Sequence, residues 1–461
     1  MATWSSSKLA GPQRKHLRAL SVAEPRIAIL TFGSRGDVQP FVALALELQE
    51  LGARPVLGAH PAYRALIEGR GIEYAELAGD PVAWMRSQAQ LRAMVRSPAV
   101  LTAAREFAAE WAPTMRTMLE QSADLADASD AIVFAHGALA GPHLHEATGK
   151  PTAFASLQPW DVTAEYPSVA MRQAPRKPGP ARRIFNRASH WMGEQVVWFP
   201  WRWTVNRWRR QRLGLGGVPF FGTPWRRMGE EVVRVYGYSP LVAPPPADWP
   251  PGRFVSGWWR LPHPQDWRPS PALSAFLAAG EKPVYVGFGS HLPVRDVAQV
   301  EEAVASVVRG MGLRLVLASG WAGLGGGGAG AARAALGGTA ADRFVLDEAP
   351  HDWLFPRMRA VVHHGGAGTT GAAVHAGVPQ VAVPAFFDQY HWSVKITELR
   401  LGTRLVSPKF SGAGLQAALE AALRPQVAER AASAAAVVAR EPGAAGAARY
   451  LLERFGLSGG A

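Results

Sequence analysis

Residues 363–379 read HHGGAGTTGAAVHAGVP: two histidines, a glycine cluster, two threonines and a run of small residues. The apolar, β-branched AVVH (Ala360–His363) predicts a buried strand. TTGAAVHAG predicts a helix opened by Thr369 or Thr370 and closed at Gly377. A glycine turn between a parallel strand and a helix N-terminus exposes backbone N–H groups, and the helix dipole adds to their pull on an anion. That is phosphate chemistry. His364, neutral or charged, can donate a hydrogen bond to a phosphate oxygen. Gly366-Ala-Gly368-Thr-Thr-Gly371 also fits G-x-G-x-x-G, which alone would suggest a dinucleotide fold with an acidic ribose ligand about twenty residues on. Asp388 stands near that spacing, but beyond the strand PQVAVP and beside Gln389, a pair better suited to sugar hydroxyls.

A second glycine turn closes RIAILTFGS (Arg26–Ser34) and leads to Asp37. A carboxylate at a strand end can take a proton from a weakly nucleophilic hydroxyl. It can also cap the helix expected over Val38–Leu51. His136, ending AIVFAH (Ala131–His136), is a second candidate base or partner, with a packed strand-end histidine as the alternative. His143 and His145 are two apart and make no convincing metal site. No Asp-x-Asp occurs, so neither a metal nor any other cofactor is expected.

The elements around these residues form two similar halves. Arg26–Ser34, the helix to Leu51 and RPVLGAH (Arg54–His60) open a doubly wound parallel sheet, continued at Ala131–His136 and Pro151–Leu157. Pro283–Gly289, Leu313–Ser319, Arg343–Leu346, Ala360–His364 and Pro379–Pro384 predict a second sheet. The expected organisation is a tail over 1–25, an N-terminal α/β domain over 26–240 and a C-terminal one over 241–461, entered through the proline-rich Leu241–Phe254. Both glycine turns would then face a cleft between two Rossmann-like, doubly wound parallel sheets. Ala413–Phe455 reads as helix broken at Pro442, its last part returning to the N-terminal domain. Gly323–Gly338 reads as a low-complexity surface loop.

With 461 residues, 48% hydrophobic and 18% charged, the chain belongs to the globular class. The absence of cysteine excludes disulfides and thiolate chemistry, and a cytoplasmic location is the expectation. Net charge is +13, and between Arg172 and Arg212 eleven Lys or Arg stand against one acid, Glu194. Trp191, Trp198, Trp201, Trp203 and Trp208 share that stretch. It predicts peripheral contact with an anionic membrane, a wall for an apolar ligand, or a helical insertion with solvated arginines and inward tryptophans. No nucleic-acid motif accompanies it.

EAPHDWLFPRMRAVVHHGGAGTTGAAVHAGVPQVAVPAFFDQYHW (Glu348–Trp392) resembles the nucleotide-sugar signature of GT-B glycosyltransferases, in the branch of sterol glucosyltransferases and enzymes that glycosylate antibiotic aglycones. GSRGDVQPFVALALELQELG (Gly33–Gly52) and PVYVGFGS (Pro283–Ser290) resemble two further blocks of that branch. The resemblance implies an inverting, metal-independent transfer of a hexose from a nucleotide sugar, UDP-glucose ahead of a dTDP-sugar. The acceptor would be a sterol, terpenoid, polyketide or lipid hydroxyl. It places Ala349-Pro350-His351 against the base, and Ser290, His364, Gly366, Gly368 and Thr369 at the diphosphate. Asp388 and Gln389 would hold the donor sugar, and Asp37 would be the base. Two departures stand out: Ala372 replaces a glutamate that holds the ribose in relatives outside the branch, and Glu348 replaces the base-stacking tryptophan of many plant relatives. A catalytically silent GT-B helper, a nucleotide-sugar epimerase and a nicotinamide oxidoreductase are the alternatives.

Overall fold

Short apolar runs without polar alternation suit strands buried on both faces, and such strands pair in parallel under helices. The computed structural model describes residues 24–80, 83, 100–171, 179–289, 297–319, 342–405 and 411–457, and it contains two sheets of this kind. The first holds β1 (Arg26–Leu30), β2 (Arg54–Ala59), β3 (Glu73–Glu76), β4 (Ala131–Ala135), β5 (Thr152–Ser156), β6 (Val233–Tyr236) and β7 (Arg253–Val255). Its order is β3-β2-β1-β4-β5-β6-β7, with every pair parallel. The second holds β8 (Val284–Gly287), β9 (Leu315–Ala318), β10 (Arg343–Leu346), β11 (Ala360–His363), β12 (Gln380–Ala382) and β13 (Gly402–Arg404). Its order is β10-β9-β8-β11-β12-β13, again all parallel.

In each sheet the strand order reverses between the first and fourth strands, which opens a crevice at their carboxyl ends. Asp37 and His136 follow β1 and β4. Gly289 and His364 follow β8 and β11. The topology therefore puts Asp37, His136 and His364 at the two switch points, while His351 follows the edge strand β10 and Asp388 and Gln389 follow β12.

The domain boundary differs from expectation. Leu241–Phe254 is not the passage between domains, because β7 follows most of it and pairs with β6 in the first sheet. The crossing comes just afterwards, at Trp258 and Trp259. Trp259 packs edge-on against Phe41 of the first domain, ring centroids 5.4 Å apart, and its indole N–H donates to Ser256 Oγ at 2.8 Å. Trp258 packs against Gly371 and His375 of the second domain. The chain crosses back once more. The helix Gly443–Phe455 buries Ala447, Ala448 and Leu451 in the first domain's core, with Phe41 and Leu48. Pro442 does break the tail, and so does the Arg424-Pro425 step between the helices Gly412–Ala422 and Pro425–Val438.

The basic, tryptophan-rich stretch folds as two helices, Pro180–Trp198 and Arg202–Arg212. Trp198, Trp201 and Trp208 are core residues. Several arginines are tied to acids elsewhere: Arg187 to Asp248, Arg209 to Glu146, and Arg212 to Glu120, Asp124 and Asp127. Arg187, Arg209 and Arg212 thus close ion pairs with acids outside the stretch. Residues 172–178, the tail before residue 24 and the loop 323–338 lie outside the described residues.

Candidate active site

The turn after β1 is built around one carboxylate. The helix Arg35–Glu50 starts three residues earlier than its apolar pattern suggests, with Ser34 as N-cap and Asp37 in the first turn. Asp37 is therefore the third residue of a capping box rather than the cap itself. Its Oδ2 accepts from the Ser34 backbone N–H at 2.7 Å and from the Ser34 hydroxyl at 2.8 Å. Among the described residues Oδ1 accepts no hydrogen bond, and Asp37 lines the cleft. Gly33 has φ +124°, and a Cβ there would lie 2.5 Å from Asp37 Oδ2. Only glycine fits both the backbone and the carboxylate.

His136 stands beside it at the end of β4. Its Nε2 lies 3.1 Å from Gln158 Nε2, and its ring packs 5.4 Å from that of Trp160. Burial lowers its pKa, while Asp37 pulls the other way. The neutral imidazole faces the same cleft as Asp37.

Across the cleft, the two histidines of the glycine turn separate into different jobs. His363 is fully buried, with Nδ1 accepting from the Gly365 N–H at 3.0 Å and Nε2 donating to Gln380 Oε1 at 2.9 Å. Burial holds its pKa down at about 4, so it braces the turn as a neutral ring. His364 is half-buried and faces the cleft. A side chain at Gly366 would collide with His364 Nε2, and one at Gly371 would sit 2.7 Å from Trp258. Gly368 meets nothing within 4 Å and opens onto the cleft. The three glycines thus admit the histidine, the ligand space and the domain-crossing tryptophan in turn. The helix itself is Ala367–His375, capped by Gly366 rather than by a threonine; Thr369 lines the cleft and Thr370 is buried. The helix's first turn therefore begins at Ala367, about one turn before expectation, with the Ala367 N–H directed at Asp388.

Asp388 caps the next helix, Gln389–Glu398, and its Oδ2 accepts the Trp392 indole N–H at 2.8 Å. Burial, with the like charge of Asp37 adding to it, pushes the Asp388 carboxyl up to about 7 against the pull of the Trp392 and Ala367 donors. Gln389 is buried, and its Oε1 accepts from the Ala385 and Phe386 N–H groups at 2.9 and 3.0 Å. His351 lies against Phe355, nearly parallel at 4.3 Å, and burial lowers its pKa to about 4. Ala349, Pro350 and His351 line the far end of the cleft. Ser290 lies outside the described residues.

Asp37, His136, His351, His364, Gly366, Gly368, Thr369, Asp388 and Gln389 all border one cleft of about 1480 Å³. A single drug-sized ligand needs roughly 300–1,000 Å³, so there is room for two substrates. Its N-domain end is apolar, with Phe107, Met115, Leu139, Val196, Val197 and Trp201. Of the five tryptophans of the basic stretch, only Trp201 borders it.

Four neighbours were not legible as site residues. Gln158 holds His136, Trp392 holds Asp388, Phe387 closes over His136, and Arg35 reaches Glu348 across the cleft. The Asp388–Trp392 spacing of four on one helix was the available signal for the second. The Arg35–Glu348 pair is 48% and 67% exposed, too solvated to weigh much in stability. Among the described residues no group of three or more His, Asp or Glu gathers as a metal would need. His143 Nδ1 meets Arg209 at 2.7 Å, whereas His145 faces Glu231 at 3.5 Å.

Known proteins share this architecture. Residues 27–167 match the glycosyltransferase family 28 N-terminal domain, and residues 341–452 match the erythromycin biosynthesis protein CIII-like C-terminal domain. The chain is 36% identical over 423 residues to the O-mycaminosyltylonolide 6-deoxyallosyltransferase of Streptomyces fradiae, covering 91% of this chain and 94% of that one. It is 31% identical over 437 residues to a sterol 3-beta-glucosyltransferase of Arabidopsis thaliana, covering 93% and 68% respectively. Among solved structures, the glycotransferase of kitacinnamycin superposes with a TM-score of 0.63 at 21% identity, over 94% of this chain and 99% of that one, a likeness of fold.

Proposed function

The chain belongs to the GT-B glycosyltransferases, in the branch that holds the antibiotic and sterol glycosyltransferases, and we propose that it moves a hexose from a nucleotide sugar to the hydroxyl of an apolar acceptor, inverting the anomeric centre. One observation carries this reading: the two switch points face each other, with a proton acceptor on one and an anion-binding helix terminus on the other. The acceptor hydroxyl gives its proton to Asp37 as its oxygen bonds to the anomeric carbon. The bond from that carbon to the diphosphate breaks on the opposite face, and its electron pair leaves with the diphosphate. The N–H groups that follow Ala367 in the helix's first turn, with His364 and Thr369, offer preorganised donors to the developing charge. Asp388 and the free end of Gln389 hold the sugar hydroxyls. These donors can carry the leaving group's charge without a metal. UDP-glucose is favoured over a dTDP-sugar; the relatives are named for a glucosyl and a 6-deoxyallosyl transfer. Their named acceptors, a sterol and O-mycaminosyltylonolide, suit an apolar N-domain wall.

The deciding experiment is a thermal-shift titration with UDP, dTDP, GDP and NAD⁺, followed by turnover of the matching sugar nucleotide in EDTA. A ligand at 100 times its Kd stabilises the native state by about 2.7 kcal/mol. UDP or dTDP should raise Tm, and turnover should survive EDTA. A rise with NAD⁺ alone would overturn the reading, and loss of turnover restored by Mg²⁺ would overturn its metal independence.

Among the described residues no helix is long and apolar enough to cross a membrane. Peripheral contact with anionic lipid belongs to the same reading. Trp203, Phe220 and Phe221 are exposed, and Arg202 packs over the Phe220 ring at 4.2 Å. Exposed aromatic rings on a stretch rich in arginine suit an anionic interface. Anionic vesicles should co-sediment the protein at low salt and release it at high salt; no co-sedimentation would remove the membrane from the reading.

A further inference from the structure

Phe387 has φ +49°. Only one other described non-glycine residue has positive φ, Arg400, which follows the end of a helix, where the left-handed conformation is common. Phe387 follows no helix. For a bulky residue this backbone is strained, and glycine or asparagine would adopt it more cheaply. Something about the ring must therefore offset the strain. The ring reaches from the donor-side loop to the other domain. It lies nearly parallel to His136 with centroids 6.2 Å apart, and 6.4 Å from Trp160. It borders the cleft directly before Asp388 and Gln389 in the chain. An apolar face from one domain thus lies against the histidine of the other, at the cleft.

We propose that Phe387 is a specificity-determining residue: its strained backbone aims an aromatic platform across the cleft, selecting acceptors with a flat, ring-bearing face beside the reacting hydroxyl. This rests on the reading that the cleft transfers a sugar, and it narrows the acceptor class. Aromatic faces favour offset stacking and edge contacts with other flat rings.

The test uses 2-naphthol, a flat aromatic alcohol whose fluorescence reports its own binding, on the wild type, Phe387→Gly and Phe387→Leu. UDP and dTDP titrations run in parallel. Phe387→Gly relieves the backbone, so the variant keeps its fold while losing the ring. Expected is a loss of naphthol affinity of about tenfold in Phe387→Gly and a smaller loss in Phe387→Leu, with nucleotide affinity unchanged. Equal naphthol affinity in wild type and Phe387→Gly overturns the proposal. So does an absence of naphthol binding in the wild type, or an equal fall in nucleotide affinity. Failure of both nucleotides to bind the wild type would instead strike at the donor site, whatever the naphthol result.

Discussion

Asp37→Asn is expected to lower kcat by about 10²- to 10⁴-fold, the range a positioned general base contributes. UDP affinity should stay within about twofold, because the proposed nucleotide site lies in the other domain. The substitution is chosen to separate two roles. An asparagine Oδ1 can still accept from the Ser34 N–H and hydroxyl, so the capping box survives and the helix Arg35–Glu50 keeps its start. Asp37→Ala loses both roles, and should add a stability cost of about 1 kcal/mol to the same loss of turnover. The readout is UDP release in the presence of an alcohol acceptor, with Tm measured alongside. A kcat within fivefold of wild type in Asp37→Asn would reduce Asp37 to its part in the capping box and move the search for a base to His136. Its neutral imidazole borders the same cleft.

How far these residues could be read in advance depended on how local their reasons are. The strand–glycine–helix units were legible because period and glycine placement are local, and both switch points follow from the order of such units. Four strands were not foreseen. β3 (EYAE) and β13 (GTR) are short, and their charged or polar residues break an apolar run. β7 is three residues at a sheet edge behind a proline cluster. β6 (VRVY) places Arg234 inside, its guanidinium 5.6 Å from the Phe154 ring, a pairing visible only once β5 is its neighbour. The site residues divide in the same way. Asp37, His364 and Asp388 stand in recognisable motifs. Phe387 and Trp258 act through distant partners, and no spacing announces a ring that crosses to another domain. The tryptophan-rich stretch misleads for a related reason. Arg209 and Arg212 look unopposed in sequence, but Glu146, Glu120, Asp124 and Asp127 arrive from helices dozens of residues away.

Asp388→Asn should move activity and stability in opposite directions. An unfolded chain releases an aspartate proton near pH 4, whereas the folded Asp388 holds its proton up to about 7. Between those values the native state binds more protons than the unfolded state, so this group's contribution to stability falls as pH rises through the window and levels off above it. The asparagine carries no such penalty. At pH 8 the variant should be more stable than wild type by up to about 4 kcal/mol, several degrees in Tm, and at pH 4 the two should coincide. Activity should run the other way. An ionised carboxylate accepts sugar hydroxyls through charge-assisted bonds, about twice as strong as neutral ones, so kcat/KM for UDP-glucose should fall about 100-fold in the variant. In the wild type, KM for UDP-glucose should drop as pH rises through 7 while the affinity for UDP, which lacks the hexose that Asp388 would hold, changes little. Asp37→Asn should shift that pH dependence downward, since the like charge facing Asp388 is gone. Differential scanning fluorimetry from pH 4 to 8, with initial rates over the upper half of that range, measures all of this on three proteins. A wild-type Tm difference from Asp388→Asn that does not grow with pH would show that Asp388 is ionised throughout. An equal loss of UDP and UDP-glucose affinity in the variant would place the carboxylate in the phosphate turn, bracing the Ala367 N–H, rather than on the sugar.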